Sequence, residues 1–397
     1  MISNPKIFLI SCMLWLAHFC VDAMIGFWPV YKTMAGLDLA YAGIIVAGCA
    51  LCGESMQILF GSLCDKGHKT ALVSLGLFLA TASTFLAYTQ NYFVLFLLFL
   101  TTCVGSSAFH PAAVSFMGGL SEKSKGFYIT FFASGGAFGM AFSQLIFTNT
   151  FYFFEGRTVF AAIPILLLAG VFFVLRSKYP LSKTAESQTF EFKKLLGFFG
   201  RRDLRLLYFS QVCNQAILWG SIFLLPDVLR AREYDDWISL GAGNLALVLG
   251  SAFMMVPAGY LADRYSTRAV LTAVTWIGMV LFYCFISMPL LSDISLLILL
   301  FAVGAALGVV NPVAIAFGNK LVPENPGLVS AFLMGLVWCV SEGIGQAGGG
   351  VLTKLFTEDA PAKALGCLGV CFFVAQGLIR QFPLESEIIP VKVAQEI

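Results

Sequence analysis

Charged side chains are scarce in this sequence of 397 residues. Asp, Glu, Lys and Arg together make up 12% of it, about half the share that is typical of a soluble domain. Apolar residues make up 59%, and the mean hydropathy is +0.87. Too little polar surface remains to cover a water-soluble globule. The net charge of +2, without a basic stripe outside the loops, also argues against a nucleic-acid partner.

Catalytic and nucleotide-binding motifs are also lacking. The sequence contains no H-E-x-x-H, no G-x-x-x-x-G-K-[ST] and no G-x-G-x-x-G at a strand–helix junction, and Gly105-Ser-Ser does not fit the frame G-x-S-x-G. We therefore expect neither an enzyme nor an ATP-driven pump, and no cofactor. Cys49 and Cys52 have C-x-x-C spacing but no second pair, so the eleven cysteines predict packing residues without a metal site or a disulfide framework.

Long apolar runs dominate what is present. A helix that spans a bilayer needs about 20 mainly apolar residues. Such runs predict an all-α membrane protein with twelve transmembrane helices, at residues 7–31, 41–63, 70–88, 92–117, 127–148, 157–175, 204–226, 237–261, 268–288, 293–318, 327–352 and 361–380. The first run is too long for the core of a signal peptide, so we interpret it as a retained helix.

The distribution of lysine and arginine predicts the orientation. If the N-terminus is cytoplasmic, 18 of these residues fall in cytoplasmic segments and 6 in outer segments. Positive charge concentrates on the cytoplasmic side of membrane proteins. We therefore expect a multi-pass protein of the cell membrane with both termini and the central loop in the cytoplasm.

Three short patterns recur at equivalent helices of the two halves. The matched segments are 61–66 with 259–264, 110–116 with 311–317, and 134–136 with 341–343. They predict a duplicated six-helix unit in parallel orientation. The expected divisions are an N-terminal half at 1–175, a cytoplasmic linker at 176–203 and a C-terminal half with a cytoplasmic tail at 204–397.

The linker contains a stretch, 190–199, that mixes aromatic residues with lysines. An interfacial helix lying on the membrane has this composition. A solvated connection has it equally well, and the sequence leaves both interpretations open.

The segment Gly61-x-Leu63-x-Asp65-Lys66-Gly67 resembles the signature loop between the second and third helices of the major facilitator superfamily. A second copy follows at 259–264, and the six-plus-six arrangement extends the resemblance over the whole chain. In that superfamily the loop carboxylate latches the cytoplasmic face. The resemblance thus implies gating roles for Asp65, Lys66, Asp263 and Arg264, although each aspartate also suits an ordinary turn.

A narrower resemblance lies in the first half. His18-Phe-Cys-Val-Asp22, Pro29 and the segment 105–111, which ends Phe-His-Pro, are similar to the fosmidomycin resistance family of efflux proteins. This resemblance implies export of a small molecule against proton entry, in a bacterial inner membrane. The family usually has glutamate where this sequence has Ala112. If that glutamate carries protons in the family, then in this sequence either no residue has that role or a residue at another position has it.

Five ionisable residues fall inside predicted helices, where a charge is costly and each is a functional candidate. His18 and Asp22 share one helix face and form a candidate proton carrier, or a pair that only holds helices together. Glu54 is the rival carrier, or a neutral carboxyl bonded to the backbone. His110 and Glu342 are candidates for a substrate cavity, and His110 also for a cytoplasmic gate. Alternatively, His110 is satisfied by the backbone that Pro111 disturbs, and Glu342 packs and forms hydrogen bonds between helices.

Uncharged polar residues extend the predicted substrate cavity. Asn214, Gln215 and Asn311 are candidates for hydrogen bonds to substrate, as is Gln346, which shares a helix face with Glu342. A packing role suits each of them equally well. Three glycines of the fifth helix (135, 136 and 139) are interpreted as packing residues.

The sequence therefore predicts a secondary active transporter that works by alternating access. Proton-coupled efflux of a small organic molecule or drug by antiport is the first hypothesis, and an importer of a nutrient or metabolite is the alternative. The expected partners are a small-molecule substrate, protons and the lipid bilayer, and we expect a monomer.

Overall fold

Twelve long helices form a single bundle. The computed structural model describes residues 5–120, 125–175, 192–325, 328–329 and 331–382, and in these residues there is no strand. The helices are α1 Pro5–Met34, α2 39–63, α3 69–88, α4 Tyr92–Gly118, α5 Lys125–Phe153, α6 158–175, α7 Arg202–Ala231, α8 238–264, α9 Thr267–Ser287, α10 Asp293–Leu321, α11 331–355 and α12 Ala360–Ile379. Eight are long and apolar enough to cross a membrane, and α2, α6 and α8 contain shorter apolar segments. The predicted all-α class is confirmed.

Several helices run further than the sequence predicts, among them α1 to Met34, α5 to Phe153 and α7 to Ala231. Polar residues that end the apolar runs find partners inside the bundle, so the helices continue. The hydroxyl of Thr148, for example, donates to the Leu240 carbonyl at 2.8 Å.

Glycine allows the closest helix contacts. A Cβ atom on Gly139 of α5 would overlap the backbone carbonyl of Phe19 in α1, and one on Gly345 of α11 would overlap that of Ala216 in α7. Lipid offers no hydrophobic drive for helices to associate, so close backbone approach supplies much of the attraction. The α1–α5 and α7–α11 contacts thus repeat the same packing in both halves, as the duplicated sequence predicts.

The halves close against each other at the distal end of the bundle, which we define as the end opposite the start of α1. Several polar contacts join the halves in the distal half of the bundle. They include the ion pairs Lys32–Asp227 and Asp38–Lys354, the hydrogen bond from Tyr152 to Asp236 and that from Thr148 to Leu240.

A short helix, Phe192–Gly197, precedes α7. Leu195 is buried, and the Phe199 ring lies 5.0 Å from those of Tyr208 and Phe332. This end of the predicted linker therefore packs on the second half. Residues 176–191 lie outside the described residues, so both interpretations of 190–199 stay predictions.

Candidate proton and substrate site

His18 and Asp22 occupy the middle of α1, one turn apart. The His18 Nε2 atom lies 3.3 Å from Asp22 Oδ2. The sequence spacing predicts this neighbourhood, because residues four apart share a helix face.

His110 of α4 completes a three-residue cluster. Its Nε2 atom is 3.1 Å from Nε2 of His18 and 3.4 Å from Oδ1 of Asp22. The sequence assigns His110 to the substrate cavity or a gate, whereas the fold brings it to the predicted proton carrier. We call His18, Asp22 and His110 the proton cluster.

A backbone carbonyl fixes the tautomer of His18. Its Nδ1 is 2.8 Å from the Phe132 carbonyl oxygen, which can only accept, so this Nδ1 carries hydrogen and donates it. His110 Nδ1 is 2.9 Å from the Ser106 carbonyl oxygen, to which it donates in the same tautomer, and 3.1 Å from the Ser106 hydroxyl, which can donate to it in the other. In a neutral imidazole with its hydrogen on Nδ1, the other nitrogen, Nε2, is bare.

With the hydrogen of His110 on Nδ1, as on His18, this arrangement requires a proton. Two bare Nε2 atoms and a carboxylate would bring only lone pairs together, at separations of 3.1–3.4 Å. One proton on any of the three groups supplies the missing donor. The cluster is neutral with that proton and carries one negative charge without it.

Neighbouring residues pack closely against the proton cluster, but part of the cluster is accessible to solvent. A Cβ atom on Gly136 of α5 would overlap both Asp22 and His18, and the Phe132 ring stacks on His18 at 4.1 Å. The side chains of Asp22 and His110 nevertheless keep 21% and 26% of their exposure. A proton can therefore enter and leave while the packing holds the groups in place.

The three ligand atoms lie within 4.8 Å of one another, a spacing that would also accommodate a small metal ion.

The second half has carboxamides where the first half has imidazoles. Helices α1 and α7 are both 30 residues long, and Pro29 and Pro226 hold the same position in them. When the two helices are aligned in this way, His18 corresponds to Gln215. His110 corresponds to Asn311 by the repeated Pro motif. Carboxamides do not titrate in the physiological range, so the positions of the second half that correspond to His18 and His110 cannot take up a proton.

The predicted polar residues of α7 and α10 are buried. The Gln211 amide donates to Asn311 at 2.8 Å, and the Asn214 amide donates to the Ser210 carbonyl at 3.0 Å. Gln215 is buried on the same helix. The sequence overlooks Gln211, although its spacing of three and four residues from Asn214 and Gln215 marks one polar face.

Glu342 lies in the middle of α11, and its side chain is 9% exposed. Gln346 donates to it at 3.4 Å. The segment Val337–Glu342 contacts the π-helical segment Ala50–Glu54 of α2, so this part of α11 belongs to the contact between the halves. The side chain of Glu54 lies outside the described residues.

Two predicted gating residues, Asp65 and Asp263, have side chains outside the described residues. Lys66 is exposed, and Arg264 donates to the Tyr260 hydroxyl at 3.2 Å. The latch therefore stays a prediction.

Sequence reasoning missed a buried ion pair. It places Lys32 in an outer loop, but this side chain has no exposed surface and pairs with Asp227 of α7. Pro29 and Pro226 hold equivalent positions in the two halves, and each lies close in sequence to one of these charged residues. This recurrence could have predicted the ion pair.

The model of the Major Facilitator Superfamily matches residues 8–346. The chain belongs to this superfamily. It is a multi-pass membrane protein and a secondary transporter rather than an enzyme. No curated protein is detectably similar in sequence.

Solved structures with the same fold are transporters of this superfamily. A bacterial homologue of the human lysosomal transporter Spinster, inward-facing and unoccupied, is 14% identical, with a TM-score of 0.80 over 95% of this chain and 97% of that one. The nucleoside transporter NupG is 15% identical, with a TM-score of 0.74 over 94% and 99%. The E. coli fucose:proton symporter FucP is 17% identical, with a TM-score of 0.58 over 95% and 99%. At such low sequence identities, the similarity of these structures shows that the chain has the same fold, and it does not identify the substrate.

Proposed function

We propose that the protein is a proton-coupled exporter of a small organic molecule and that the proton cluster carries the proton. The observation that carries this proposal is the convergence of His18 Nε2, His110 Nε2 and Asp22, three groups that can share one proton. No nucleotide motif is present, so an ion gradient is the source of energy. One proton moving down 100 mV yields about 2.3 kcal/mol, enough for a substrate gradient of roughly fiftyfold.

Alternating access follows from the two halves. With cytoplasmic termini, the closed distal end faces outward, and the proton cluster communicates with the cytoplasm. The cluster releases its proton there as substrate enters. Opening of the distal end then exposes Asp22 to the outside, where a new proton neutralises the cluster and lowers the cost of closing the site again.

Export is supported by the resemblance of 18–22 and 105–111 to the fosmidomycin resistance family. Import with protons is the second candidate, because a fucose:proton symporter has the same fold. In both cases Asn214, Gln215, Asn311, Glu342 and Gln346 contact the substrate, while Glu54 is the alternative proton carrier.

Transport of labelled compounds into inverted and right-side-out vesicles separates the two directions. For an exporter, an imposed proton gradient concentrates substrate in inverted vesicles whose lumen is acidic. Concentration only in right-side-out vesicles with an acidic exterior would establish import instead. Equal substrate concentrations inside and outside the vesicles in both preparations would show that transport is not coupled to protons.

We further propose that the loops at Asp65–Lys66 and Asp263–Arg264 latch the cytoplasmic ends when the distal end opens. The repeated motif supports this role, because helix termini attract charges of the opposite sign.

A further inference from the structure

The proton cluster has the composition of a metal site. Two imidazoles and a carboxylate hold zinc in many proteins, where a fourth position is left for water or another ligand. The same set of ligands binds iron(II) in other proteins. Mg²⁺ and Ca²⁺ prefer sites built from oxygen ligands, so the pair of imidazoles favours a divalent transition-metal ion.

The separations within the cluster are close to those of a tetrahedral metal site. Bonds of about 2.0–2.2 Å from zinc to nitrogen and oxygen place two ligand atoms of a tetrahedral ion about 3.3–3.5 Å apart. The two Nε2 atoms are 3.1 Å apart, and Asp22 lies 3.3 Å from His18 through Oδ2 and 3.4 Å from His110 through Oδ1. Small adjustments of these side chains bring all three groups onto one ion.

The outer contacts of the two histidines suit the same ion. A histidine that binds metal through one ring nitrogen usually donates the N–H of the other to a carbonyl or a carboxylate. His18 Nδ1 donates in this way to the Phe132 carbonyl at 2.8 Å. His110 Nδ1 lies 2.9 Å from the Ser106 carbonyl, and the tautomer that donates there has its lone pair on Nε2, toward the cluster.

We propose that His18, Asp22 and His110 bind a divalent transition-metal ion such as Zn²⁺, with water in the remaining position. Asp22 and His110 are partly exposed, so the ion enters from their side. The binding does not depend on the direction or the substrate of transport. A bound ion takes the lone pairs that would accept a proton and therefore blocks proton exchange, and this consequence alone rests on the proposed function.

Titration of the purified protein, without an affinity tag, with Co²⁺ tests the site. We expect one ion per chain with the visible absorption of a four-coordinate Co²⁺, and Zn²⁺ but not Mg²⁺ should displace it. The eleven cysteines of the chain are rival ligands. Thiolates bound to Co²⁺ would add a charge-transfer band in the near ultraviolet, which we expect to be absent.

Substitutions locate the ion. Affinity for Co²⁺ should fall about tenfold or more in His18→Gln, Asp22→Asn and His110→Gln, because the loss of even a contact that supports a ligand typically costs about 10–100-fold. Gly136→Ala keeps all three ligands, but its methyl group overlaps Asp22 and His18. This variant should therefore also weaken binding.

His68→Gln is the matched control, because His68 is the third histidine of the chain and is exposed. It should leave the absorption and the affinity unchanged. Three results would overturn the proposal: failure of both Co²⁺ and Zn²⁺ to bind at millimolar concentration, binding through thiolates alone, or an affinity that all three ligand substitutions leave intact.

Transport separates the metal site from the proposed function. Zn²⁺ that fills the site should stop accumulation, under a pH gradient, of a compound that the vesicle experiments identify as substrate. Continued accumulation with the ion bound would retain the metal site and contradict the proton role of the cluster. Failure of metal binding would reject the metal site and leave the proton role intact.

Discussion

Lys32 of α1 and Asp227 of α7 form an ion pair that joins the two halves at the distal end. Lys32 has no exposed surface, and its ammonium lies 4.5 Å from the centre of the Phe223 ring. Asp227 also accepts from the Thr33 hydroxyl at 2.9 Å. The distal end cannot open without separating these charges, so the pair is a candidate lock for the closed state.

Removing one partner should release the lock. Loss of one member of a buried pair typically costs about 3–5 kcal/mol, so Lys32→Ala should shift the equilibrium toward distal opening by about a hundredfold or more. Spin labels at the exposed positions Glu155 and Leu290 report the opening as a longer distance. The double exchange Lys32→Asp with Asp227→Lys should restore the short distance, and an unchanged distribution in Lys32→Ala would reduce the pair to a passive contact.

Gly136 is predicted to hold the geometry of the proton cluster. In Gly136→Ala the new methyl group displaces Asp22 and His18, and transport driven by a pH gradient should fall by about 100-fold, the loss typical of a displacement of about 1 Å at a reactive site. Gly170→Ala on α6 is the control, because a Cβ there meets nothing within 4 Å. Equal activity of the two variants would show that the cluster does not need this close contact.

The ionisation of Asp38, which precedes the membrane-spanning part of α2, should make the stability of the fold depend on pH. Slight burial opposes ionisation, but hydrogen bonds from Lys354 and from the Tyr41 and Ala40 amides hold the pKa of Asp38 below its usual value. A lowered pKa stabilises the fold above the unfolded value of about 3.9, and that stability is lost as the pH falls through the folded value.

Asp38→Asn keeps a residue that caps the start of α2 but removes the charge. Its thermal midpoint should lie below that of the parent at neutral pH, and the difference should shrink as the pH falls below about 4 and vanish below the folded pKa of Asp38. A difference that stays constant over this range would assign the effect to the helix cap rather than to the ion pair.

The excess of lysine and arginine in alternate connections predicts that both termini are cytoplasmic. Reporter fusions after residue 190 and at the C-terminus should both give the cytoplasmic signal. An outer signal from either fusion would contradict the assignment of the closed distal end to the outer face.

The helices could be predicted because lipid imposes a length and an apolar composition on each of them. His18 and Asp22 could be predicted as neighbours because they are local in sequence. His110 joins them through the packing of α4 on α1, with 92 residues between His18 and His110, and no periodicity encodes that contact. Lys32 and Asp227 were missed for the same reason, since each looks like an ordinary residue of a helix end until the halves meet.

The proposed role of Asp22, with His18 and His110, is to couple transport to protons. Gradient-driven transport and exchange between equal compartments can be compared in proteoliposomes of Asp22→Asn, with Glu54→Gln in parallel. We expect that Asp22→Asn abolishes accumulation under an imposed pH gradient but retains exchange, whereas Glu54→Gln still accumulates substrate. Accumulation by Asp22→Asn, together with its loss in Glu54→Gln, would show that the proton site lies in α2 and not in this cluster.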